Sequence, residues 1–316
     1  LRGCLEWAGY CADPEGFLST LPVAFDGSCS GLQHFSAMFK DYIGGREVNL
    51  VANIARQDIY ATVKANTLFV LEASEDDLAV KWLNSGLLTR KLFKTPTKTY
   101  GYSSEVPGMT DQISSAVLAT GNETFAKDEL FTACNYLAKI TFAEIEKTVV
   151  KASEAKNWLQ QCVRGKQEAT QWTTPDGLPV VQKYMAKKSK RLDIMVGGER
   201  TQSQYTVPTD AVDTRKMASA ISPNVIHSID ATHIRMVAIA ASGEQMHSLA
   251  MIHDSFGCHA ADAGRFFNII REQFIELYST EVAKNLNEEL SGGSVELPTM
   301  GNLDLNGIIE TDYSFA

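Results

Sequence analysis

Two short apolar runs, far apart in the chain, each lead into an aspartate, and this pair constrains the fold more than any other feature. Residues 21–25 run directly into Asp26 and Gly27, and residues 249–252 end two positions before Asp254. Short apolar runs bounded by turn residues are typical of buried strands. If the two strands are neighbours, both aspartates lie at one edge of a sheet, with their carboxylates about 4–6 Å apart.

A pair of carboxylates at that separation is a candidate metal site. Like charges repel each other there and attract a cation, and Mg²⁺ prefers hard oxygen ligands with few protein carboxylates. Two such ions about 3.5–4 Å apart activate an attacking hydroxyl and stabilise a leaving oxygen. The exposed backbone carbonyl of Gly27 is a further candidate ligand. On spacing alone, the alternative remains that Asp26 and Asp254 only cap turns, as aspartate often does.

A basic stripe is the second candidate feature. Arg90, Lys94, Lys98 and Tyr102 recur every four residues, so they share one face if the segment is helical. Such a stripe can hold a triphosphate and pack an aromatic ring against a base or sugar. The alternatives are an ordinary solvated face and a helix that begins only near Pro96, because proline disfavours a helix interior.

Helical periodicity dominates the rest of the chain, which predicts a helix-rich α/β or α+β fold. The hydrophobic fraction of 44% and the charged fraction of 21% exclude a disordered or collagen-like chain. Turn residues predict one hairpin around residues 172–181, and a second hairpin or loop that opens at Gly197 and continues to Pro223. The predicted helices include residues 53–84 with a break at 74–77, residues 124–163, 228–241 and 263–290.

The charge and cysteine content narrow the class of protein. A net charge of −9 argues against coating nucleic acid by bulk charge, although a local basic channel remains compatible with it. The six cysteines form no CxxC pair, which favours reduced thiols over a zinc ribbon or a disulfide framework. No apolar run approaches the roughly 20 residues of a membrane span, and no secretory signal is visible, so we expect no membrane partner and no secretion.

Two histidines attract attention because of their neighbours. His227 precedes Ser228 and Asp230 at a predicted helix start, where its ring could face a ligand hydroxyl. His253 directly precedes Asp254. No group of histidines and cysteines has the spacing of a zinc site, so we expect the other histidines to be structural.

Taken together, these segments resemble one family, the single-subunit bacteriophage-type DNA-directed RNA polymerases. Residues 24–36, Ala-Phe-Asp-Gly-Ser-Cys-Ser-Gly-Leu-Gln-His-Phe-Ser, resemble the first catalytic motif of that family. Four more segments are similar to family motifs in the same order: the fingers helix at 90–102, the histidine segment at 223–228, the second catalytic motif at 253–257 and the aromatic-Ala terminus at 313–316. The resemblance covers essentially the whole chain.

The resemblance implies roles in metal and phosphate binding. Asp26 and Asp254 would ligate two catalytic Mg²⁺ ions, with help from the Gly27 carbonyl. Arg90 and Lys94 would bind the phosphates of the incoming nucleotide.

It also implies roles at the sugar and the primer. Tyr102 and His227 would distinguish ribose from deoxyribose at the 2′-hydroxyl. Tyr60 would lie near the nucleotide site, and His253 close to the primer end. The chain departs from the family pattern at Ser103, where the family usually has Gly after the tyrosine. Thr95 is a second departure, because the family commonly has a basic residue there.

The implied architecture is a polymerase palm with a small antiparallel sheet and a mostly helical fingers subdomain. The expected boundaries are palm at 1–53, fingers at 54–227 and palm again at 228–316. The fingers would contain the nucleotide-binding helix at 90–102 and a promoter-specificity hairpin at about 197–220. The sequence starts at Leu1 rather than at Met, and we expect a fragment that lacks the amino-terminal promoter-binding and thumb regions.

The implied activity is template-dependent transfer of nucleotides from NTPs to an RNA 3′ end by two metal ions. The expected partners are a DNA template, the nascent RNA, NTPs and the missing amino-terminal portion of the polymerase. The expected location is the cytoplasm of a host cell, namely an infected bacterium. Two alternatives remain: a related palm-type DNA polymerase, and a non-catalytic polymerase remnant that only binds nucleic acid.

Overall fold

The structure, a computed structural model, describes residues 1–122 and 124–315. Helices make up 54% of it and the sheets are small and antiparallel, which confirms the predicted helix-rich α/β fold. The helices are α1 (Arg2–Ala12), α2 (Ser30–Met38), α3 (Tyr42–Glu47), α4 (Ile59–Glu72), α5 (Asp77–Asn84), α6 (Arg90–Tyr100), α7 (Val106–Ala119), α8 (Leu130–Thr148), α9 (Val150–Val163), α10 (Thr214–Gly243), α11 (Ala263–Leu277) and α12 (Val282–Ser291). The strands are β1 (Val23–Asp26), β2 (Thr170–Thr173), β3 (Pro179–Gln182), β4 (Met185–Val196), β5 (Glu199–Val212), β6 (Ala250–Ile252) and β7 (Ser255–Cys258).

A three-stranded antiparallel sheet in the order β1-β7-β6 carries both aspartate segments. β6 and β7 form a hairpin with His253 and Asp254 as its turn, since Ile252 pairs with Ser255. β1 lies on the other side of β7, where Asp26 is opposite Ser255. The two segments are therefore neighbours as predicted, with one correction: β1 pairs with the strand that follows Asp254, not with the strand that precedes it.

The sheet is closely spaced and packs on an aromatic cluster. Gly257 leaves no room for a side chain, because a Cβ there would lie 2.6 Å from the carbonyl oxygen of Ala250. Phe256 is buried, and its ring centroid lies 5.1 Å from His233 and 6.1 Å from Phe315. These contacts hold the β6–β7 hairpin against the helical core and the end of the chain.

The helix α10 is 30 residues long and packs against α2, α9 and α11. It begins at Thr214, so the prediction of a helix start at residue 228 is wrong. Asp213 caps the helix by accepting a hydrogen bond from the Lys216 N–H at 2.9 Å. Pro223 lies inside the helix, where packing against three helices outweighs the local cost of a proline. His227 is consequently in mid-helix, not at a helix start.

Other predicted elements are confirmed or shifted. The hairpin around 172–181 is present as β2 and β3, and the predicted break at 74–77 separates α4 from α5. The second hairpin spans residues 185–212 and does not open at Gly197 and continue to Pro223, because residues 197–198 form its turn and the helix follows directly. The expected specificity hairpin at about 197–220 shifts with it. The helix predicted at 263–290 is two helices, α11 and α12.

The three cations of the basic stripe lie on α6, which begins at Arg90 and contains Pro96, so the alternative start near Pro96 is wrong. The helix ends at Tyr100, so Tyr102 lies in the turn that follows it and not on the helix as expected. Within the described ranges, the six cysteines form no disulfide. None of the described helices combines the length and the apolar character that crossing a bilayer requires.

The last residues of the chain pack behind the turn that follows β1. Phe315 bridges Gly27 in antiparallel fashion and is 3% exposed. The Ser28 N–H donates to the Ser314 carbonyl at 3.2 Å, and the Ser28 hydroxyl donates to the Tyr313 carbonyl at 3.0 Å. The tail therefore braces the turn that follows β1, although Ala316, part of the motif at 313–316, lies outside the described residues.

Candidate active site

The two predicted metal-ligating aspartates lie together at one end of the sheet. Asp26 is the last residue of β1, and Asp254 is in the turn that leads into the neighbouring strand β7. The Gly27 N–H donates to the backbone carbonyl of Asp254 at 3.4 Å, which ties the two segments to each other. Two chain segments remote in sequence therefore present carboxylates to one location.

The electrostatics at this location favour a cation. Burial raises the pKa of Asp26 above its usual value, and the negative charge of Asp254 raises it further. The ammonium groups of Lys98 and, to a smaller extent, Lys94 act in the opposite direction. A nearby positive charge, whether of Lys98, Lys94 or a metal ion, therefore stabilises the ionised form of Asp26.

Gly27 is held in a tight turn. Its carbonyl accepts a hydrogen bond from the Cys29 N–H at 2.8 Å, which leaves a second lone pair on the oxygen. A Cβ on Gly27 would lie 2.8 Å from Gln33 Oε1, so a larger residue requires that side chain to move. The amide of Gln33 is itself fixed, since it donates to the Ser314 carbonyl at 2.8 Å. Gln33 and the end of the chain therefore hold the backbone of this turn in place.

Tyr102 and His227 form a ring pair beside the aspartates. Their ring centroids are 4.8 Å apart with an interplanar angle of 42°. The Tyr102 ring packs over Gly31, where a Cβ would lie 3.0 Å from its Cε1. The pair lines a cavity of about 460 Å³ together with Lys98, Asp230, Ala231, Ile234, His253 and Asp254. The structure therefore brings the predicted sugar-sensing residues, His253 and one predicted metal ligand into one cavity.

The end of α6 determines which tyrosine faces this cavity. Tyr100 is fully buried, and its hydroxyl lies 2.7 Å from Ser153 Oγ in the helical core. Tyr102 is only partly buried and lines the cavity. Burial raises the pKa of Tyr102 well above its usual value, and the charge of Asp230 raises it further, so its hydroxyl is a neutral donor.

Arg90 and Tyr60 lie in a second cavity, of about 290 Å³. The Arg90 guanidinium is ion-paired with Asp58 and lies 5.1 Å from the centroid of the Tyr60 ring. Burial acts to raise the pKa of Asp58, but the hydrogen bond and the charge of Arg90 outweigh it and lower that pKa. Ser28, which follows Gly27 in the turn after β1, also lines this cavity.

The predicted phosphate ligands are therefore not equivalent. Lys94 is exposed on α6, one helical turn before Lys98. Lys98 belongs to the predicted basic stripe, but the family resemblance implies no role for it. It lines the first cavity and lowers the pKa of Asp26 more strongly than Lys94 does. Arg90 can reach a phosphate only by sharing or leaving its ion pair with Asp58.

A buried network that was not predicted from the sequence lies beneath the first cavity. Asp230 Oδ1 accepts hydrogen bonds from the Ser30 hydroxyl and from His34 Nε2, the latter at 2.7 Å. The other ring nitrogen of His34 lies 2.6 Å from the Tyr278 hydroxyl. The available signals were local: Ser30 and His34 are four residues apart on α2, and Asp230 is three residues after His227 on α10.

Comparison with known proteins gives a consistent result. A family model described as DNA-dependent RNA polymerase matches residues 1–294. The chain is 34% identical to the DNA-directed RNA polymerase of Enterobacteria phage T3 and 33% identical to the T7 RNA polymerase of Escherichia phage T7; each alignment covers 100% of this chain and 42% of the relative. It is also 34% identical to the mitochondrial DNA-directed RNA polymerase 1 of Arabidopsis thaliana, over 96% of this chain and 32% of that protein.

The chain thus spans about two fifths of the phage enzymes that it matches and about one third of the plant enzyme. The family match nevertheless extends over both aspartate motifs, the basic helix and the histidine segment. The chain belongs to the DNA-dependent RNA polymerase family.

Proposed function

We propose that this chain carries the nucleotidyl-transfer centre of a DNA-directed RNA polymerase, which extends the 3′ end of RNA with NTPs on a DNA template. The observation that carries the proposal is the convergence of Asp26 and Asp254 beside the cavity lined by Tyr102 and His227. In-line attack of the RNA 3′-hydroxyl on the α-phosphate releases pyrophosphate, and the protein contributes mainly positioning and charge neutralisation.

The side chains fit a pair of Mg²⁺ ions. In the described part of the chain, no three His, Cys, Asp or Glu side chains converge as a metal site, which excludes a closed all-protein cage there. Two carboxylates and the Gly27 carbonyl are the hard, sparse donor set that Mg²⁺ uses when substrate phosphates and water complete its shell. The mutual repulsion that raises the pKa of Asp26 is relieved by such a cation. When bound, the ions would activate the 3′-hydroxyl and neutralise charge on the leaving group.

The other residues act on the incoming nucleotide and the primer. Lys94 and Lys98 attract the triphosphate from one face of α6, and Arg90 adds a planar cation next to Tyr60. The Tyr102 hydroxyl and the His227 ring flank the sugar, where they favour ribose over deoxyribose. His253 lies near the primer end, since it forms the tight turn with Asp254.

We assign palm to residues 1–53 and 228–316, and fingers to 54–227. The β4–β5 hairpin is exposed and carries Lys187, Lys188, Lys190 and Arg191, which suits contact with the phosphates of nucleic acid. This hairpin is the candidate promoter-specificity element. Because the relatives are longer, we propose that an amino-terminal portion with promoter-binding and thumb regions completes the enzyme.

The test is extension of an RNA primer annealed to a DNA template in the presence of Mg²⁺. We expect Asp26→Asn and Asp254→Asn each to abolish extension, measured on the chain supplied with an amino-terminal portion of a relative. Asp176→Asn is the matched control, because Asp176 is ion-paired with Arg235 away from the aspartate pair. Near-normal extension by either active-site variant contradicts the assignment of metal ligands.

The same assay addresses the two competing functions. A DNA polymerase would use dNTPs as well as NTPs, whereas the Tyr102–His227 pair leads us to expect preference for NTPs. A non-catalytic remnant would bind the primer–template without extending it.

A further inference from the structure

We propose that Asp230 accepts a hydrogen bond from a sugar hydroxyl of the incoming nucleotide, and so recognises the sugar together with Tyr102 and His227. The inference rests on the proposed function and extends it to a residue that the motif comparison did not assign a role. Asp230 lines the same 460 Å³ cavity as Tyr102, His227 and Asp254. Because it follows His227 by three residues on α10, both side chains emerge on one face of that helix.

The inner oxygen of this carboxylate is fixed by a buried chain of hydrogen bonds. Ser30 and His34 both donate to Oδ1, and His34, only 2% exposed, continues the chain to the Tyr278 hydroxyl at 2.6 Å. Tyr278 is itself buried, so the anchor reaches from the cavity wall into the core. Since an ionised carboxylate only accepts hydrogen bonds, His34 Nε2 must carry a proton.

The network also keeps Asp230 charged. Burial acts to raise the pKa of Asp230, but the charge of His34 and the hydrogen bonds from His34 and Ser30 together lower it. Replacing those donors would leave a negative charge against the core without compensation. The arrangement therefore supports an ionised carboxylate in a defined rotamer.

The outer oxygen is available to a ligand. Both hydrogen bonds go to Oδ1, and the structure gives Oδ2 no hydrogen-bond partner among residues 1–122 and 124–315. The side chain keeps 16% exposure, at the cavity. A free carboxylate oxygen in this position selects a hydrogen-bond donor and repels phosphate oxygens.

The chemistry of the substrates identifies that donor. A template-directed polymerase must accept all four NTPs, whose bases differ in their donor groups. The hydroxyls of the ribose are the donors that the four nucleotides share. Asp230 is therefore placed to bind the 2′- or the 3′-hydroxyl, while Tyr102 and His227 flank the same sugar.

The experiment measures equilibrium binding by calorimetry. The chain, supplied with an amino-terminal portion of a relative as in the extension assay, is mixed with Mg²⁺ and an RNA–DNA primer–template whose RNA ends in a 3′-deoxynucleotide, so that no turnover occurs. GTP, 2′-deoxy-GTP and 3′-deoxy-GTP are then titrated into the unmodified chain and into Asp230→Asn. We expect the affinity for GTP to fall about tenfold or more in the variant, as for the loss of a hydrogen bond to a charged acceptor.

The analogues decide which hydroxyl is bound. The analogue that lacks the hydroxyl contacted by Asp230 should bind the variant and the unmodified chain equally, whereas the other analogue should lose affinity as GTP does. Either pattern supports the proposal. An equal loss for all three nucleotides, or no loss for any, overturns it, because Asp230 would then not contact a specific hydroxyl.

Two further variants serve as a control and as a second test. Asp176→Asn removes a carboxylate that pairs with Arg235 on the same helix outside the cavity, and should leave all three affinities unchanged. If Asp230→Asn does not fold, Tyr278→Phe keeps the Asp230 charge but removes the end of the anchoring chain. We expect it to reduce the preference for GTP over the same analogue by a smaller factor; an unchanged preference would overturn the proposal. An unmodified chain that binds no nucleotide contradicts the proposed function itself.

Discussion

The turn after α6 contains a strained serine, Ser103, and its replacement gives a testable prediction. The Ser103 N–H donates to the Tyr100 carbonyl and the Ser104 N–H to the Thr99 carbonyl, each at 3.1 Å, which is the Schellman pattern at a helix end. This pattern places Ser103 at the first residue beyond the cap, with a φ of 63°. Glycine is the usual residue there because it has no Cβ.

Three contributions determine how much Ser103→Gly changes the free energy of unfolding. A left-handed conformation costs a residue with a Cβ about 1–2 kcal/mol, and the greater freedom of glycine in the unfolded chain offsets about 0.5–1 kcal/mol of that gain. In addition, the Ser103 hydroxyl is buried and has no hydrogen-bond partner within the described residues, which costs about 1–3 kcal/mol. We therefore expect the variant to gain about 1–2 kcal/mol in its free energy of unfolding, allowing for partial relaxation of the buried hydroxyl.

The assay is urea unfolding followed by far-UV circular dichroism. Ser104→Gly is the matched control, since Ser104 is the next residue and is not among the positive-φ residues. Without strain to relieve, this control should lose about 0.4–1 kcal/mol through the entropy of the unfolded chain. A Ser103→Gly variant that is no more stable than the unmodified chain would refute the strain argument.

Two further predictions follow from charge and burial. Lys98→Met should weaken binding of Mg²⁺–GTP about three- to tenfold in the calorimetric assay, because a cation that attracts the triphosphate is lost from the cavity; Lys91→Met, which lies outside that cavity, should change it little. Burial lowers the pKa of His233 from 6.5 to about 3, so its contribution to stability is complete above pH 6.5 and is lost as the pH falls towards 3. Between pH 7.5 and 5, unfolding measurements should therefore show about 2 kcal/mol less acid destabilisation in His233→Gln than in the unmodified chain; equal losses contradict this assignment.

The sequence predicts the aspartate pair well because each half is a strong local signal. A short apolar run followed by Asp and Gly needs no tertiary information to be recognised, and antiparallel pairing then brings the two ends together. The signal for the β2–β3 hairpin is also local, because the turn residues Pro175-Asp176-Gly177 predict it. The order of the strands was not predictable. The chain turns back at residues 253–254, and this places β7, and not β6, next to β1.

The start of α10 was mispredicted because a local rule was overridden. Pro223 and the polar residues before it indicate a loop, yet Asp213 caps the helix and α10 packs along its length against three neighbouring helices. The error moved His227 from mid-helix to a helix start. A helix that starts at residue 228 excludes His227, so it does not predict that His227 and Asp230 share one face of α10.

The residues that the sequence missed are those whose roles depend on long-range contacts. Asp230 and His34 are 196 residues apart, and the ion pair of Arg90 with Asp58 joins residues 32 apart, so neither pair leaves a periodic pattern. Family motifs identify single residues, whereas the charge state and orientation of each depend on buried partners on other elements. For this reason the pairing of Asp26 with Asp254 can be predicted from the sequence. The Asp230 oxygen that we expect to recognise the sugar is identified only from the structure, in which His34 and Ser30 bind the other oxygen of that carboxylate.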